Sequence, residues 1–232
     1  MKGFNHVDTW VFDLDNTLYP ASCRLFDQID VKMGQFVSKL LGVDLAEAKL
    51  RQKAMFYKYG TTLRGLMTEH GITPDEFLDF VHDIDHSPVP PNKDLDEALH
   101  QLPGRKLIFT NGTVAHAEKV LARIGIHHHF GDIFDIVHSD FIPKPEMEPY
   151  RKFISQTGIR AETSAMFEDI ARNLEAPHAL GMTTVLVVSP ENRDAEHLNK
   201  ATGGTAQAHI HHVTDDLAGF LAGLTKELQS RP

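Results

Sequence analysis

Thr9-Trp10-Val11-Phe12-Asp13-Leu14-Asp15-Asn16-Thr17 is the stretch on which the reading of this chain turns. Four apolar or β-favouring residues run up to a carboxylate, which is the pattern of a short buried strand that stops at Asp13. Tyr19-Pro20 then breaks the run. From Arg24 to about His86 the pattern becomes helical. Leu25, Ile29, Phe36, Val37 and Leu40 fall at helical spacing, and Gly42 closes that segment. Asp44 is placed to cap a second helix, Leu45 to Tyr59, ended by Gly60. A third helix, Leu63 to His70, stops at Gly71. A fourth opens at Thr73-Pro74, with Thr73 as cap and Pro74 at the first helical position.

Ser87-Pro88-Val89-Pro90-Pro91 is a stiff connector, and the rhythm changes after it. Strands are expected at Lys106 to Phe109, Phe134 to His138, Ser164 to Phe167, Thr183 to Val188 and, weakly, His209 to Val213. Helices are expected at Asp94 to Gln101, Val114 to Ile124, Glu148 to Thr157, Arg172 to Leu180 and Asp215 to Gln229. Alternating strands and helices predict an α/β fold, with a parallel sheet covered on both faces. An all-helical insert separates the first strand from the rest. In such sheets ligands bind beyond the carboxyl ends of the strands.

Bulk properties narrow the classes. The chain has 232 residues, 41% of them hydrophobic and 24% charged, the profile of a globular protein. A formal net charge of −9 argues against a nucleic-acid polymer as partner, because phosphate backbones demand a basic footprint. The one cysteine, Cys23, allows no intrachain disulfide. Met1 to Asp8 has no signal-like apolar stretch, and no apolar run nears the ~18 residues that span a bilayer. A cytoplasmic protein, monomer or homodimer, is the expectation.

The chemistry sits at the predicted strand ends. The first gives Asp13 and Asp15, the second Thr110-Asn111-Gly112, the loop after the third Lys144, and the fourth Glu168-Asp169. This set suits phosphoryl transfer. A carboxylate nucleophile, Asp13, splits a slow hydrolysis into two steps. Asp15, two residues on and facing the same way in an extended segment, is the acid/base candidate. Thr110 offers a hydroxyl, Asn111 a backbone N–H beside a helix N-terminus, and Lys144 a cation, so these three form the expected phosphate-binding set. Mg²⁺ prefers oxygen ligands. Asp13, the carbonyl of Asp15 and Asp169 would supply them, with Glu168 acting nearby or through water.

These residues resemble the motifs of the haloacid-dehalogenase superfamily. Asp13-Leu14-Asp15-Asn16-Thr17 is similar to its first motif, DxDxT, and Thr110, Lys144 and Glu168-Asp169 match the second, third and fourth in order. The resemblance implies a Rossmann-like core, residues 1–18 and 92–232, and a small helical cap, residues 19–91. It also implies a phosphatase rather than a dehalogenase, since dehalogenases lack an acid at the position of Asp15. Phe12 to Pro20, Phe109 to Gly112, Phe167 to Asp169 with Asn173, and the insert stretches Tyr59 to Leu66 and Val81 to Asp85 look like the pyrimidine 5′-nucleotidase family. Many of its members carry Asp-Asp where this chain has Glu168-Asp169. The resemblance implies a small phosphorylated metabolite as substrate, a nucleoside 5′-monophosphate above all. Purine monophosphates, sugar phosphates and phosphoglycolate are alternatives, as are a phosphomutase and a non-enzymatic phosphate-binding module.

Within the insert, Arg64, His82 and Asp85 are the candidates for contacting the leaving group, with Asp83 and His86 behind them. Asn173 is expected to hold the loop of the fourth motif. His127-His128-His129 reads as a polar turn, because consecutive histidines converge poorly on one ion. Gly219 to Gly223 has GxxxG spacing but no membrane span to use it.

Overall fold

The computed structural model describes residues 3–189 and 208–230. Its centre is a six-stranded parallel sheet: β1 (Thr9–Phe12), β2 (Arg105–Phe109), β3 (Asp132–Phe134), β4 (Ser164–Glu168), β5 (Thr183–Val187) and β6 (His212–Thr214). The spatial order is β3-β2-β1-β4-β5-β6. From β1, β2 and β3 step away on one side and β4, β5 and β6 on the other. The order therefore reverses at β1, and the crevice of such sheets lies at that reversal. Phe12 pairs with both Ile108 and Phe167, so β1, β2 and β4 end close together.

Side-chain alternation along the strands fills both faces. Trp10 and Phe12 point into a cluster with α5 (Lys93–Gln101), α6 (Val114–Ile124) and α9 (Leu217–Gln229), through Leu95, Leu99, Val120, Leu121 and Leu221. Val11 points the other way, joining Leu107, Phe109 and Met166 against Tyr150 and Phe153 of α7 (Met147–Thr157) and Ala176 of α8 (Glu175–Ala179). All four residues of β1 are buried, as a strand covered on both faces requires.

The insert forms α1 (Leu25–Leu41), α2 (Leu45–Tyr59), α3 (Thr62–His70) and α4 (Pro74–His82). They share their own core, built on Ile29, Phe36, Val37, Met55, Leu66, Phe77 and Val81, and Ile136 from beyond β3 reaches into it. A Cβ added at Gly65 would lie 2.6 Å from the Cβ of Met55, so this glycine sets how closely α2 and α3 approach. This is an α/β core with a small all-helical cap inserted after the first strand.

Several boundaries differ from expectation, each for a local reason. The third strand ends at Phe134 rather than running to His138. Asp135 curls the chain there: its Oδ1 accepts hydrogen bonds from the backbone N–H groups of Val137 and His138, and its Oδ2 from that of Val114. The expected helix Arg172 to Leu180 is divided into a 3-10 turn, Ala171–Leu174, and α8, with Pro177 in the first turn of α8, where no N–H is needed. The last strand starts at His212 because the Thr184 hydroxyl bonds the backbone of His209 and His211 before it. Thr73 occupies the cap position of α4 without a side-chain hydrogen bond, leaving Pro74 to start that helix. Asp44 caps α2 by accepting from Glu47 N–H.

Candidate active site

Asp13 follows the last residue of β1 and is held in line by its N–H donating to the Phe167 carbonyl, 2.9 Å. Its carboxylate is nearly buried, at 5% exposure. Oδ1 accepts from Lys144 Nζ at 2.7 Å, and Oδ2 from the Thr17 hydroxyl at 3.0 Å. Asn16 takes a left-handed backbone, φ 61°, which asparagine tolerates, and this turn brings Thr17 back under Asp13.

Lys144 arrives from the loop after β3. The side-chain oxygen of Asn111 accepts from the Lys144 backbone N–H at 2.9 Å and ties that loop to the end of β2. The ammonium then reaches Asp13, Glu168 Oε2 at 2.6 Å and the Phe109 carbonyl at 3.1 Å. Burial works to lower its pKa, but the charges of Asp13 and Glu168 outweigh burial and hold the ammonium above its ordinary range. Glu168 is fully engaged: its other oxygen accepts from Asn173 Nδ2 at 3.1 Å and Ile170 N–H at 3.3 Å. Asn173 is itself anchored, since Tyr150 donates to its carbonyl at 2.6 Å.

Asp13, Glu168 and Asp169 bring carboxylate oxygens within 4.8 Å of one another. One lysine cannot balance three acids. Burial and the charge of Glu168 push Asp13 up to about 7 despite Lys144, and burial with Glu168 and Asp13 pushes Asp169 well above the usual carboxylate range. Buried acids that resist ionising together are the donor set a hard divalent cation would satisfy.

Across the site, Thr110 is 1% exposed and its hydroxyl oxygen accepts from Gly112 N–H at 2.9 Å. Thr113 caps α6 beside it, accepting from His116 N–H. Asp15 completes the ring. Its Oδ1 accepts from the Tyr19 hydroxyl at 2.6 Å and from His116 Nε2 at 2.9 Å. Burial works to raise this carboxyl, but the charge and hydrogen bond of His116 and the Tyr19 hydroxyl outweigh burial and hold it below the ordinary range. Burial and the charge of Asp15 keep the Tyr19 phenol protonated, far above its ordinary range.

A cavity of about 250 Å³ opens above these groups, between core and cap. Asp13, Asp15, Thr110, Asn111, Lys144, Glu168 and Asp169 all line it, and so does His82 from the cap. The cap side of the wall is otherwise mainly apolar: Phe26, Ile29, Met33, Phe56, Phe77 and Val81. Arg64 and Asp85 do not line this cavity. Arg64 sits on α3, where its N–H donates to the cap residue Thr61. Asp85 is exposed and accepts from the N–H and hydroxyl of Ser87. Asp83 is an exposed partner of Lys32.

Two other expectations need correcting or extending. His127–His129 is a tight 3-10 turn, and within it His128 and His129 meet on Asp96 Oδ1 through Nε2, at 3.3 and 2.7 Å, with their rings 4.0 Å apart and tilted by 42°. That group does not line the cavity. Tyr19 and His116 were not singled out by sequence. Tyr19 read as a strand breaker, and His116 as one more residue of an amphipathic helix. The signal that finds His116 is its place in the first turn of the helix that follows Thr110-Asn111-Gly112, where side chains stand over the strand ends.

Among the described residues, no helix is long and apolar enough to cross a membrane. Comparison with known proteins gives one consistent result. Residues 7–181 match the model of the haloacid dehalogenase-like hydrolase family. Phosphate metabolism protein 8 of Saccharomyces cerevisiae is 27% identical over 197 residues, covering 75% of this chain and 60% of that protein. The chain thus spans well under two thirds of that relative's length. Glyceraldehyde 3-phosphate phosphatase of Methanopyrus kandleri is 25% identical over 204 residues, 82% of this chain and 87% of that one. In shape, the chain is similar to a phosphatase from Thermococcus onnurineus, with a TM-score of 0.61 at 16% identity over 96% of this chain and 98% of the other.

Proposed function

The chain belongs to the haloacid dehalogenase-like hydrolases; from this premise we propose that it is a phosphatase, hydrolysing small phosphomonoesters with the help of Mg²⁺, nucleoside 5′-monophosphates foremost. The observation that carries the reading is the Asp13 carboxylate. It stands at the mouth of the sheet crevice, braced by Lys144 and Thr17 and backed by Glu168 and Asp169.

In the proposed reaction Asp13 attacks phosphorus, forming an aspartyl-phosphate as the bond to the leaving oxygen breaks. Asp15 takes up a proton as the anionic phosphoryl group enters beside it and gives that proton to the leaving oxygen, so the alcohol leaves neutral. Asp15 then takes a proton from water as the water oxygen attacks phosphorus, the bond to Asp13 breaks and phosphate departs. Lys144 and the Thr110 hydroxyl, with the N–H groups around Asn111, face the phosphoryl oxygens and offset their charge. Asp13, Asp169 and the Asp15 carbonyl would hold Mg²⁺, while Glu168, both of whose oxygens are engaged, keeps Lys144 and the loop in place. When bound, the ion supplies positive charge at the phosphoryl oxygens.

The cap wall favours an uncharged leaving group with flat apolar surface. No charged cap residue lines the cavity, and Lys144 on the core side is already shared by Asp13, Glu168 and the phosphoryl group itself. A carboxylate or second phosphate on the leaving group would be buried without a partner, a costly arrangement. A nucleoside meets the aromatic wall of Phe26, Phe56 and Phe77 without that penalty.

A phosphate-release panel tests this, with nucleoside monophosphates, sugar phosphates, glyceraldehyde 3-phosphate and phosphoglycolate, each with Mg²⁺ and with chelator. The expected result is Mg²⁺-dependent release, fastest for nucleoside 5′-monophosphates, falling by about 1,000-fold or more in a folded Asp13→Asn variant. Wild-type turnover of p-nitrophenyl phosphate by that variant overturns the nucleophile. Preference for phosphoglycolate overturns the substrate assignment alone.

A further inference from the structure

Asp15 is held from one side only. The hydroxyl of Tyr19 and Nε2 of His116 both bond Oδ1, while Oδ2 lies 3.7 Å from where a Cβ on Gly112 would stand, beside the Thr110 hydroxyl. Gly112 thus leaves that side of the carboxylate open to the cavity that Asp15 lines.

The support behind Oδ1 is rigid. The His116 side chain is fully buried, 0% exposed, against 17% for Asp15. Its backbone is set in the first turn of α6 by the Thr113 cap. Its Nδ1 meets His86 Nε2 at 3.2 Å, and the His82 ring stacks on it at 4.7 Å and 19°. An ionised Asp15 only accepts, so His116 donates to it through Nε2, while Nδ1 is braced from behind by His86. His82 ends the last cap helix and His86 lies in the connector just after it, so the support also spans cap and core.

We propose that His116 and Tyr19 are positioning residues for the acid/base step: they pin Oδ1 of Asp15 and present Oδ2 to the leaving oxygen. The inference rests on Asp15 as the proton donor. Oδ2 takes a proton from solvent as the anionic substrate enters; Oδ2–H then breaks as the leaving oxygen gains the proton and the P–O electron pair, and the carboxylate left behind keeps both bonds on Oδ1. Their loss therefore harms substrates in proportion to the basicity of the leaving group. A good leaving group departs as an anion and needs little help, whereas an alkoxide needs the proton delivered.

The experiment measures kcat/KM, which reports the transfer to Asp13 and not the later hydrolysis, for p-nitrophenyl, phenyl and alkyl phosphates. It compares the wild type with Tyr19→Phe, His116→Leu, His116→Gln and Asp15→Asn. Tyr19→Phe and His116→Leu are expected to lose about tenfold more on alkyl than on p-nitrophenyl phosphate. His116→Gln, whose amide can still donate near the Nε2 position, should recover most of that difference. Equal losses across the series in both Tyr19→Phe and His116→Leu, with Asp15→Asn still steeply dependent on the leaving group, overturn the positioning role and spare the acid. A flat series for Asp15→Asn removes Asp15 as the acid, and this inference with it. Tyr19→Phe carries the test even where His116→Leu does not fold.

Discussion

At the scale of single residues the site is a matter of which charges are neutralised and by what. Lys144 serves two acids at once and Asp15 leans on a phenol and an imidazole, while His82 shows what the surroundings do to a base. Burial and the neighbouring His116 pull His82 down to about 4, from an ordinary 6.5, although Asp15 pulls the other way. Between those values the unfolded chain binds a proton that the folded chain refuses. The stability from neutral His82 is thus complete above pH 6.5 and is lost as pH falls towards 4. His82→Gln should flatten the fall in the denaturant midpoint between pH 7 and pH 5. An unchanged slope would mean that His82 titrates normally in the fold.

The elements explain why the cap stays a unit of its own. Its helices share a core and meet the sheet mainly around the cavity, with Ile136 as the apolar bridge. At Gly65 α2 and α3 approach closely. Gly65→Ala would push a methyl into Met55, and overpacking of this kind costs about 1–3 kcal/mol. The expected outcome is a lower thermal midpoint; an unchanged midpoint would show that Met55 moves aside freely. The first three of these helices were legible from sequence because each ends on its own stop signal, Gly42, Gly60 or Gly71, and Asp44 caps where its side chain suggests. The end of β3 was not. Phe134 to His138 reads as a strand, and only the hydrogen bonds of Asp135, to the N–H groups of Val137 and His138 and across to Val114, show that the chain turns away.

For the whole molecule, the decisive fact is the reversal of strand order at β1, which gathers residues 13, 110, 144 and 168–169 into one crevice. Carboxylates at strand ends advertise such a crevice in the sequence. Its outer wall does not, because cap charges such as Arg64 and Asp85 look alike until packing decides which face the ligand. The same holds for His116, whose role depends on a partner 101 positions away. The central claim is that phosphate passes through Asp13. The direct test mixes the enzyme with a phosphate-radiolabelled substrate, quenches in acid within one turnover and maps the label by peptide. The account predicts label on the peptide holding Asp13, accumulating further in Asp15→Asn, where water is no longer activated. Release of labelled phosphate in the first turnover with no label on Asp13 at any time would contradict it.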